Sequence, residues 1–98
     1  MEWIFEIQDK SGRKIYLSKD RWVHINQEHP EIAPYLEDLK ETLRNPTKAT
    51  TYSFDENAKH YYKYIKDRKS DAKHLLVIVK YLNEHGFIIT AYFVRHIK

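Results

Sequence analysis

Hydrophobic and polar residues alternate with a strand period near both ends of the chain and with a helical period between them. Near the N-terminus, residues 3–7 and 14–17 read as two strands around a turn, which predicts a β-hairpin with Gly12 at positive φ. Ser18 is a suitable N-cap for a first helix. This helix is expected to run to about Glu28, because Pro30 disfavours helical geometry at His29.

A second helix is predicted from the spacing of apolar residues that follows. It should begin near Ala33, because Pro34 is tolerated only in a first helical turn. The pair Asn45-Pro46 should end it. Its expected apolar face consists of Ile32, Tyr35, Leu36, Leu39 and Leu43.

The remainder of the chain has the composition of β-strands, at about residues 50–54, 60–65, 75–82 and 87–94. Turns are predicted at residues 55–57 and 83–86, and a polar loop at residues 67–71. The predicted fold is one α+β domain over residues 1–98. It has an N-terminal β-hairpin, two α-helices and a four-stranded antiparallel β-meander.

The last two strands predict which side chains share a face of the sheet. With a loop of two or four residues, Val79 is expected opposite Thr90 and Val77 opposite Tyr92, with Leu82 opposite Phe87. A loop of three or five residues would shift this register. Thr90 and Tyr92 share a face in either case, whereas the side on which Lys80 lies stays open.

Composition narrows the class of protein. Ninety-eight residues suit a single domain, and the absence of cysteine excludes disulfides, thiolate metal sites and thiol nucleophiles. The longest apolar run, at about residues 75–79, is too short to span a bilayer, and no signal-peptide pattern is present. We therefore expect a cytoplasmic protein without membrane association.

The net charge is +3, and basic residues concentrate between residues 59 and 74, where tyrosines interleave with them. Basic side chains attract phosphates, and tyrosine rings can stack on unpaired bases. The alternative is a solvated pair of strands whose lysines protect a sheet edge. The candidate RNA-binding residues are Lys59, Lys63, Lys66, Arg68, Lys69 and Arg95.

His24 and His29 are the leading candidates for proton transfer, because histidine gives and takes protons near neutral pH. Cleavage of RNA by its own 2′-hydroxyl needs a base, an acid and a group that stabilises the phosphorane. On a continuous helix the two histidines would lie about 140° apart, so they converge only if the chain breaks at Pro30. Spacing alone favours the alternative, one surface histidine and one at a helix corner.

Thr90 and Tyr92 are polar positions within an otherwise apolar last strand, where a buried hydroxyl needs a partner. Their hydroxyl groups could bind a scissile phosphate. The alternative is that threonine and tyrosine occur here only because they are favourable residues for a β-strand. Lys80 interrupts an apolar run and, with Arg95 and His96, could stabilise negative charge. The histidine spacings match no metal motif, so neither a metal nor a cofactor is expected.

Several short motifs, taken in order, resemble the phage-associated branch of the barnase–EndoU–colicin–RelE-like nucleases, known as the BECR fold. The resemblance covers about residues 20–94. The motifs are Trp22 with Ile25, His29-Pro30-Glu31, Leu43-Arg44-Asn45-Pro46, residues 75–80, and Ile89-Thr90-Ala91-Tyr92.

This resemblance implies a metal-independent ribonuclease, often a toxin. It implies His29 and His24 as the acid/base groups, without deciding which is the acid and which is the base. It also implies Thr90 and Tyr92 lining the site, and Lys80 or Arg95 on the phosphate. The expected partners are RNA and an antitoxin or immunity protein. The alternatives are a non-catalytic RNA-binding or partner-binding module on the same fold, and a homodimer that associates through a tyrosine-rich edge strand at residues 61–64.

Overall fold

The computed structural model describes residues 2–98, and Met1 lies outside the described residues. Within this range the chain forms six strands, two α-helices and one 3-10 helix. In chain order they are β1 (Trp3–Gln8), β2 (Lys14–Ser18), α1 (Lys19–Glu28), the 3-10 helix (Pro30–Tyr35), α2 (Leu36–Arg44), β3 (Lys48–Tyr52), β4 (Asp55–Tyr64), β5 (His74–Leu82) and β6 (His85–Val94).

The six strands form one mixed sheet in the order β1-β2-β6-β5-β4-β3. All neighbouring strands are antiparallel except β2 and β6, which pair in parallel from Lys14 opposite His85 to Tyr16 opposite Phe87. The predicted α+β class is confirmed. The predicted hairpin and four-stranded antiparallel meander do not match the sheet in full, because a parallel pairing of β2 with β6 joins them into one six-stranded mixed sheet. Sequence periodicity detects strands but not a pairing between distant ones.

The first helix follows its prediction at both ends. Ser18 Oγ accepts a hydrogen bond from the Arg21 backbone N–H at 3.1 Å, which caps the helix. At the other end His29 occupies the C-cap, and its N–H donates to the Ile25 carbonyl oxygen at 2.7 Å. The position of His29 is therefore fixed by the helix end that Pro30 imposes.

The second helix begins later than its apolar spacing predicts. Residues Pro30–Tyr35 form a 3-10 helix, and α2 begins only at Leu36 rather than near Ala33. Two prolines in six residues lack backbone donors, which favours a short, tight turn over a continuous α-helix. Of the predicted apolar face, Ile32, Leu39 and Leu43 are buried, and Tyr35 and Leu36 are half-buried.

The helices cover one face of the sheet, and the core lies between these two layers. Ile25, Ile32 and Leu39 are fully buried, and each contributes roughly 1.5–3 kcal/mol of hydrophobic stabilisation. The sheet side of the core is made of inward-facing residues of β1, β2, β4, β5 and β6: Phe5, Ile7, Ile15, Leu17, Tyr61, Leu75, Val77, Val79, Tyr81, Ile88 and Ala91. In the described part of the chain, residues 2–98, no helix packs on the second face of the sheet.

The register of the last hairpin differs from the prediction. Asn83, with φ of 59°, and Glu84 form a two-residue turn, so Leu82 lies opposite His85 rather than Phe87. Farther along, a β-bulge shifts the pairing, and Thr90 lies opposite Ile78. The predicted partner of Thr90, Val79, instead pairs with Ile88.

The bulge decides which residues reach the uncovered face. On β5, Val77 and Val79 face the helices, whereas Leu76, Ile78 and Lys80 alternate with them onto the other side. Tyr92 lies opposite Leu76, not opposite Val77 as predicted. Thr90 and Tyr92 therefore share the uncovered face, as predicted, and Lys80 lies on that face as well.

Strand β4 begins earlier than predicted, at Asp55, and the turn before it consists of Ser53 and Phe54 rather than residues 55–57. It pairs with β3 on one side and β5 on the other. The hypothesis of an exposed tyrosine-rich edge at residues 61–64 is therefore wrong. The edge strands are β1 and β3.

Asp9 anchors the β1–β2 turn to the sheet. Its carboxylate accepts hydrogen bonds from Ser11, the Arg13 backbone N–H and the Tyr81 hydroxyl, the last at 3.0 Å. Burial alone would raise the pKa of Asp9, but these hydrogen bonds outweigh it and hold the pKa below its ordinary value. Gly12 has φ of 90°, which confirms the predicted positive φ.

Gly86 lies within β6, on the helix-covered face, rather than in the turn. A Cβ at this position would come within 2.8 Å of Tyr81 Cε1 and 2.9 Å of Val79 Cγ1. A glycine is therefore needed here because the Tyr81 ring lies close to the β6 backbone, and not because of the geometry of the turn.

We expect Gly86→Ala to lower the free energy of unfolding by about 1–3 kcal/mol, because the added methyl group overpacks the contact with Tyr81 and Val79. Urea unfolding monitored by circular dichroism measures the change. Glu84→Ala, in the adjoining exposed turn, is the control and should be near neutral. A Gly86→Ala protein as stable as the wild type would contradict this packing.

Candidate active site

The uncovered face of the sheet carries a cavity of about 520 Å³. It lies over strands β3 to β6 and against the C-terminal segment. Its lining residues are Thr50, Thr51, Tyr52, Ser53, His60, Tyr62, Leu76, Tyr92, Val94, His96 and Lys98. None of these lining residues is acidic, whereas two histidines and one lysine are among them, so the cavity suits an anionic ligand.

His60 lies in this cavity, and the sequence reasoning did not single it out. Its ring stacks on that of Tyr52, with centroids 5.1 Å apart and planes 14° from parallel. Burial lowers the pKa of His60 below its ordinary value of 6.5. The ring is therefore mostly neutral at pH 7 and can accept a proton.

Register places His60 in line with Thr90 on the same face. His60 lies opposite Ile78 on β5, and Ile78 lies opposite Thr90 on β6. Two strand spacings separate the Cα atoms of His60 and Thr90 by about 10 Å. Tyr62, Leu76 and Tyr92 form the next row across the same three strands. The two rows bring side chains from β4 and β6 to one surface.

His29 reaches this surface from the helical layer. Its imidazole stacks on the Tyr92 ring, with centroids 5.0 Å apart and planes 23° from parallel. The nearest carboxylate oxygen, Glu31 Oε1, lies 3.8 Å from His29 Nδ1. The His29 side chain is 32% exposed, so it remains accessible beside a residue that lines the cavity.

The structure brings together His29 and Tyr92, but it does not bring His24 to them. His24 is exposed on α1, and its Nε2 lies 2.9 Å from Glu28 Oε1. It lines a separate surface depression with Ser18, Asp20 and Arg21. The break at Pro30 therefore turns His29 toward the sheet and leaves His24 on the solvent side of the helix.

Lys80 shares the uncovered face but is engaged by a carboxylate. Its ammonium group donates a hydrogen bond to Asp55 Oδ2. This hydrogen bond, with a second from the Asn57 backbone N–H, holds the pKa of Asp55 below its ordinary value. Lys80 thus links β5 to the start of β4, which limits its freedom to bind a phosphate.

The predicted RNA-binding residues do not form one surface. Lys63 donates to the Asn45 carbonyl oxygen at 2.9 Å, and Lys59 lines a cavity on the other side of the sheet with Asp9. The Arg68 guanidinium carbon lies 3.8 Å from the centre of the Phe93 ring. The other three of the predicted set, Lys66, Lys69 and Arg95, are exposed.

The tyrosines of β4 also divide between the two faces. Tyr61 is buried in the core, where its hydroxyl lies 2.6 Å from that of Tyr81, so it is not available to stack on a base. Tyr62 is buried beneath the cavity, and Tyr64 is half-exposed. The interleaved pattern of lysine and tyrosine therefore reflects strand alternation rather than one binding surface.

Two further findings concern the part of the chain that the structure describes. Among residues 2–98, no three histidine, aspartate or glutamate side chains converge to hold a metal ion. In the same range, no helix has the length and apolar character needed to cross a lipid bilayer.

Thr90 Oγ1 is buried and has no hydrogen-bond partner among residues 2–98. A buried hydroxyl without a partner costs stability. We therefore expect Thr90→Val, which keeps the shape, to leave the free energy of unfolding unchanged or to raise it by about 1 kcal/mol. Urea unfolding measures the change. A loss of more than about 1 kcal/mol would show that the hydroxyl has a partner in the folded protein.

The profile of the family described as phage-Barnase-EndoU-ColicinE5/D-RelE like nuclease 2 (PBECR2) matches residues 5–96. No curated protein and no solved structure matches significantly. The match spans all six strands in part or in full and both helices, together with His29, Thr90 and every cavity-lining residue except Lys98.

Proposed function

From the premise that this chain belongs to the PBECR2 nuclease family, we propose that it is a metal-independent endoribonuclease whose active site is the cavity on the uncovered sheet face. One observation carries the proposal. A histidine with a lowered pKa, His60, and the stacked pair of His29 and Tyr92 flank a single cavity that has cationic but no acidic lining residues.

The reaction would use the 2′-hydroxyl of RNA as its nucleophile. A base removes the 2′-hydroxyl proton, the 2′-oxygen bonds to phosphorus, and the bond from phosphorus to the 5′-oxygen breaks. An acid gives a proton to the departing 5′-oxygen. The products are a 2′,3′-cyclic phosphate and a 5′-hydroxyl, and all atoms of the reaction come from RNA and the protein's own proton donors.

His60 fits the role of the base, because a base must be unprotonated at the working pH. His29, or Tyr92 with His29 behind it, fits the role of the acid. Stacking on the Tyr92 ring limits the rotation of the imidazole and holds it beside a residue that lines the cavity. This assignment keeps His29 from the sequence-based hypothesis and replaces His24 by His60.

The developing charge on the phosphorane requires hydrogen-bond donors or cations. His96 and Lys98 line the cavity and can supply positive charge. Thr90 does not line the cavity and its hydroxyl is buried without a partner among residues 2–98, so we assign it no contact with the phosphate. We assign no step to Lys80, because Asp55 holds its ammonium group.

We further propose that the protein acts in the cytoplasm as a toxin on cellular RNA. An active nuclease in the same compartment as its host's RNA must be kept inactive. An antitoxin or immunity protein that covers the open sheet face would do so, because it would exclude RNA from the cavity.

The first test is incubation of the purified protein with total RNA in EDTA. We expect fragments that end in 2′,3′-cyclic phosphates. His60→Gln and His29→Gln should each lower the rate by about 10²–10⁴-fold, because each removes one proton-transfer group. His24→Gln is the matched control, since it replaces an exposed histidine on α1, and it should cleave at the wild-type rate.

Each result bears on a different part of the proposal. Equal loss in His24→Gln would contradict the choice of cavity. Intact RNA with folded wild-type protein would contradict the nuclease. If the folded wild-type protein left RNA intact but bound it in a salt-dependent manner, the hypothesis of a non-catalytic RNA-binding module on the same fold would replace the hypothesis of a nuclease.

The pH dependence of kcat/KM tests the role of His60. A base with a lowered pKa is less protonated at pH 6.5 than an ordinary histidine, so we expect the rate to fall only as the pH drops through that lower value. The midpoint of the acidic limb should therefore lie below 6.5 for cleavage of a short RNA. A midpoint at or above 6.5 would contradict His60 as the base.

A further inference from the structure

A row of three aromatic rings leads from the cavity to the turn between β3 and β4. His60 stacks on Tyr52 at 5.1 Å, and the Phe54 ring lies 5.6 Å from that of Tyr52 at an interplanar angle of 63°. Exposure increases along the row. Tyr52 is 41% exposed and Phe54 is 86% exposed, so the end of the row lies in solvent.

The fold gives no reason for a phenylalanine at this turn. The turn is held by polar groups, because Asp55 Oδ1 accepts the Asn57 backbone N–H at 3.0 Å and the Asp55 side chain also pairs with Lys80. Phe54 buries little of its ring against the protein and lies outside the core cluster. A single exposed apolar side chain is ordinary on a protein surface, but the Phe54 ring contacts Tyr52, which lines the cavity, so the two rings form exposed apolar surface that continues into the cavity.

The charge of the neighbouring cavity indicates what the ring would contact. Lys98 lines that cavity beside His60 and His96, and none of the lining residues is acidic, which favours a phosphate. Aromatic rings next to a phosphate site are the usual means of holding an unpaired base, because every base presents a π-face. A nucleic acid strand, with its phosphates and bases, fits both the cavity without acidic lining residues and the exposed aromatic rings beside it.

We propose that Tyr52 and Phe54 form a subsite for one unpaired nucleobase of the RNA strand whose phosphodiester lies at His60. This proposal rests on the proposed function and adds a substrate class to it, RNA in single-stranded regions. In a duplex the base faces are stacked on their neighbours, and none is free for Phe54. The subsite therefore selects loops, bulges and unpaired ends.

The test measures binding apart from cleavage. A fluorescently labelled single-stranded oligonucleotide with 2′-O-methyl groups throughout has no 2′-hydroxyl nucleophile, so its affinity can be read by anisotropy. We expect Phe54→Ala to weaken binding about 5- to 150-fold, the range typical of one stacked base. Phe54→Trp should retain binding, because it keeps an aromatic face.

Val23→Ala is the matched control, because Val23 is an exposed apolar residue, at 56%, on α1. It should bind as the wild type does. Affinity for a duplex of the same sequence should be the same in all four proteins. A further series of oligonucleotides carries one abasic nucleotide at a different position in each member. At one position we expect the loss of binding free energy from the abasic nucleotide and the loss from Phe54→Ala not to be additive, because both remove the same stacking contact.

Several outcomes would overturn the subsite. One is wild-type affinity in Phe54→Ala, and another is an equal loss on single strand and duplex. A third is self-association of the wild type in sedimentation that Phe54→Ala abolishes while RNA affinity stays unchanged. That result would assign the ring to a contact between copies of the chain.

The two proposals can fail separately. Wild-type protein that cleaves RNA, with a Phe54→Ala variant that binds and cleaves equally well, would overturn the subsite and leave the nuclease in place. Loss of single-strand binding in Phe54→Ala, with no cleavage by the wild type, would support the subsite and overturn the catalytic assignment. Wild-type protein that neither binds nor cleaves RNA would overturn both.

Discussion

The parallel pairing of β2 with β6 is the constraint on which the rest of the molecule depends. It extends over only three residues of each strand, from Lys14 opposite His85 to Tyr16 opposite Phe87. Because the pairing is short, the remainder of β6 is left without a strand on that side. Helix α1, which follows β2 directly, contacts β6 there and ends with His29 against Tyr92.

The same arrangement explains why the candidate catalytic side chains lie on one face of the sheet. Within residues 2–98 the helices pack on one face, where they bury Val77 and Val79 of β5. The second face therefore stays open, and it carries polar side chains beside apolar ones. The bulge near Ile78 then sets the register that aligns Thr90 with His60 across β5. Because the backbone of such a sheet is rigid, it holds proton-transfer groups from different strands at fixed positions relative to one another.

Much of the fold followed from local patterns in the sequence. Ser18 and Pro30 determine where the first helix begins and ends, and Gly12 marks the first turn, so capping and turn chemistry were enough for these features. Thr90 and Tyr92 stood out as polar positions in an apolar strand. Strand alternation alone predicts that they share a face.

Other features depended on contacts between distant parts of the chain. The β2–β6 pairing cannot be detected from the periodicity of apolar residues. A single-residue bulge in the last hairpin changes which residues of β5 lie opposite Thr90. His60 was missed because it lies in a run of lysine and tyrosine that was interpreted as a basic surface. One signal was present: on alternation, His60 and Tyr62 share a face, opposite to that of Lys59 and Lys63.

The position of β6 also has a consequence for the order of folding. Lys14 and His85 are far apart in the chain, yet they must meet before β6 can lie between β2 and β5. Closing so long a loop is entropically costly and slow, whereas the helices and the β1–β2, β3–β4 and β5–β6 hairpins form from local contacts. We therefore expect the β2–β6 pairing to complete the sheet late along the folding pathway, after the hairpins that carry the floor of the cavity have formed.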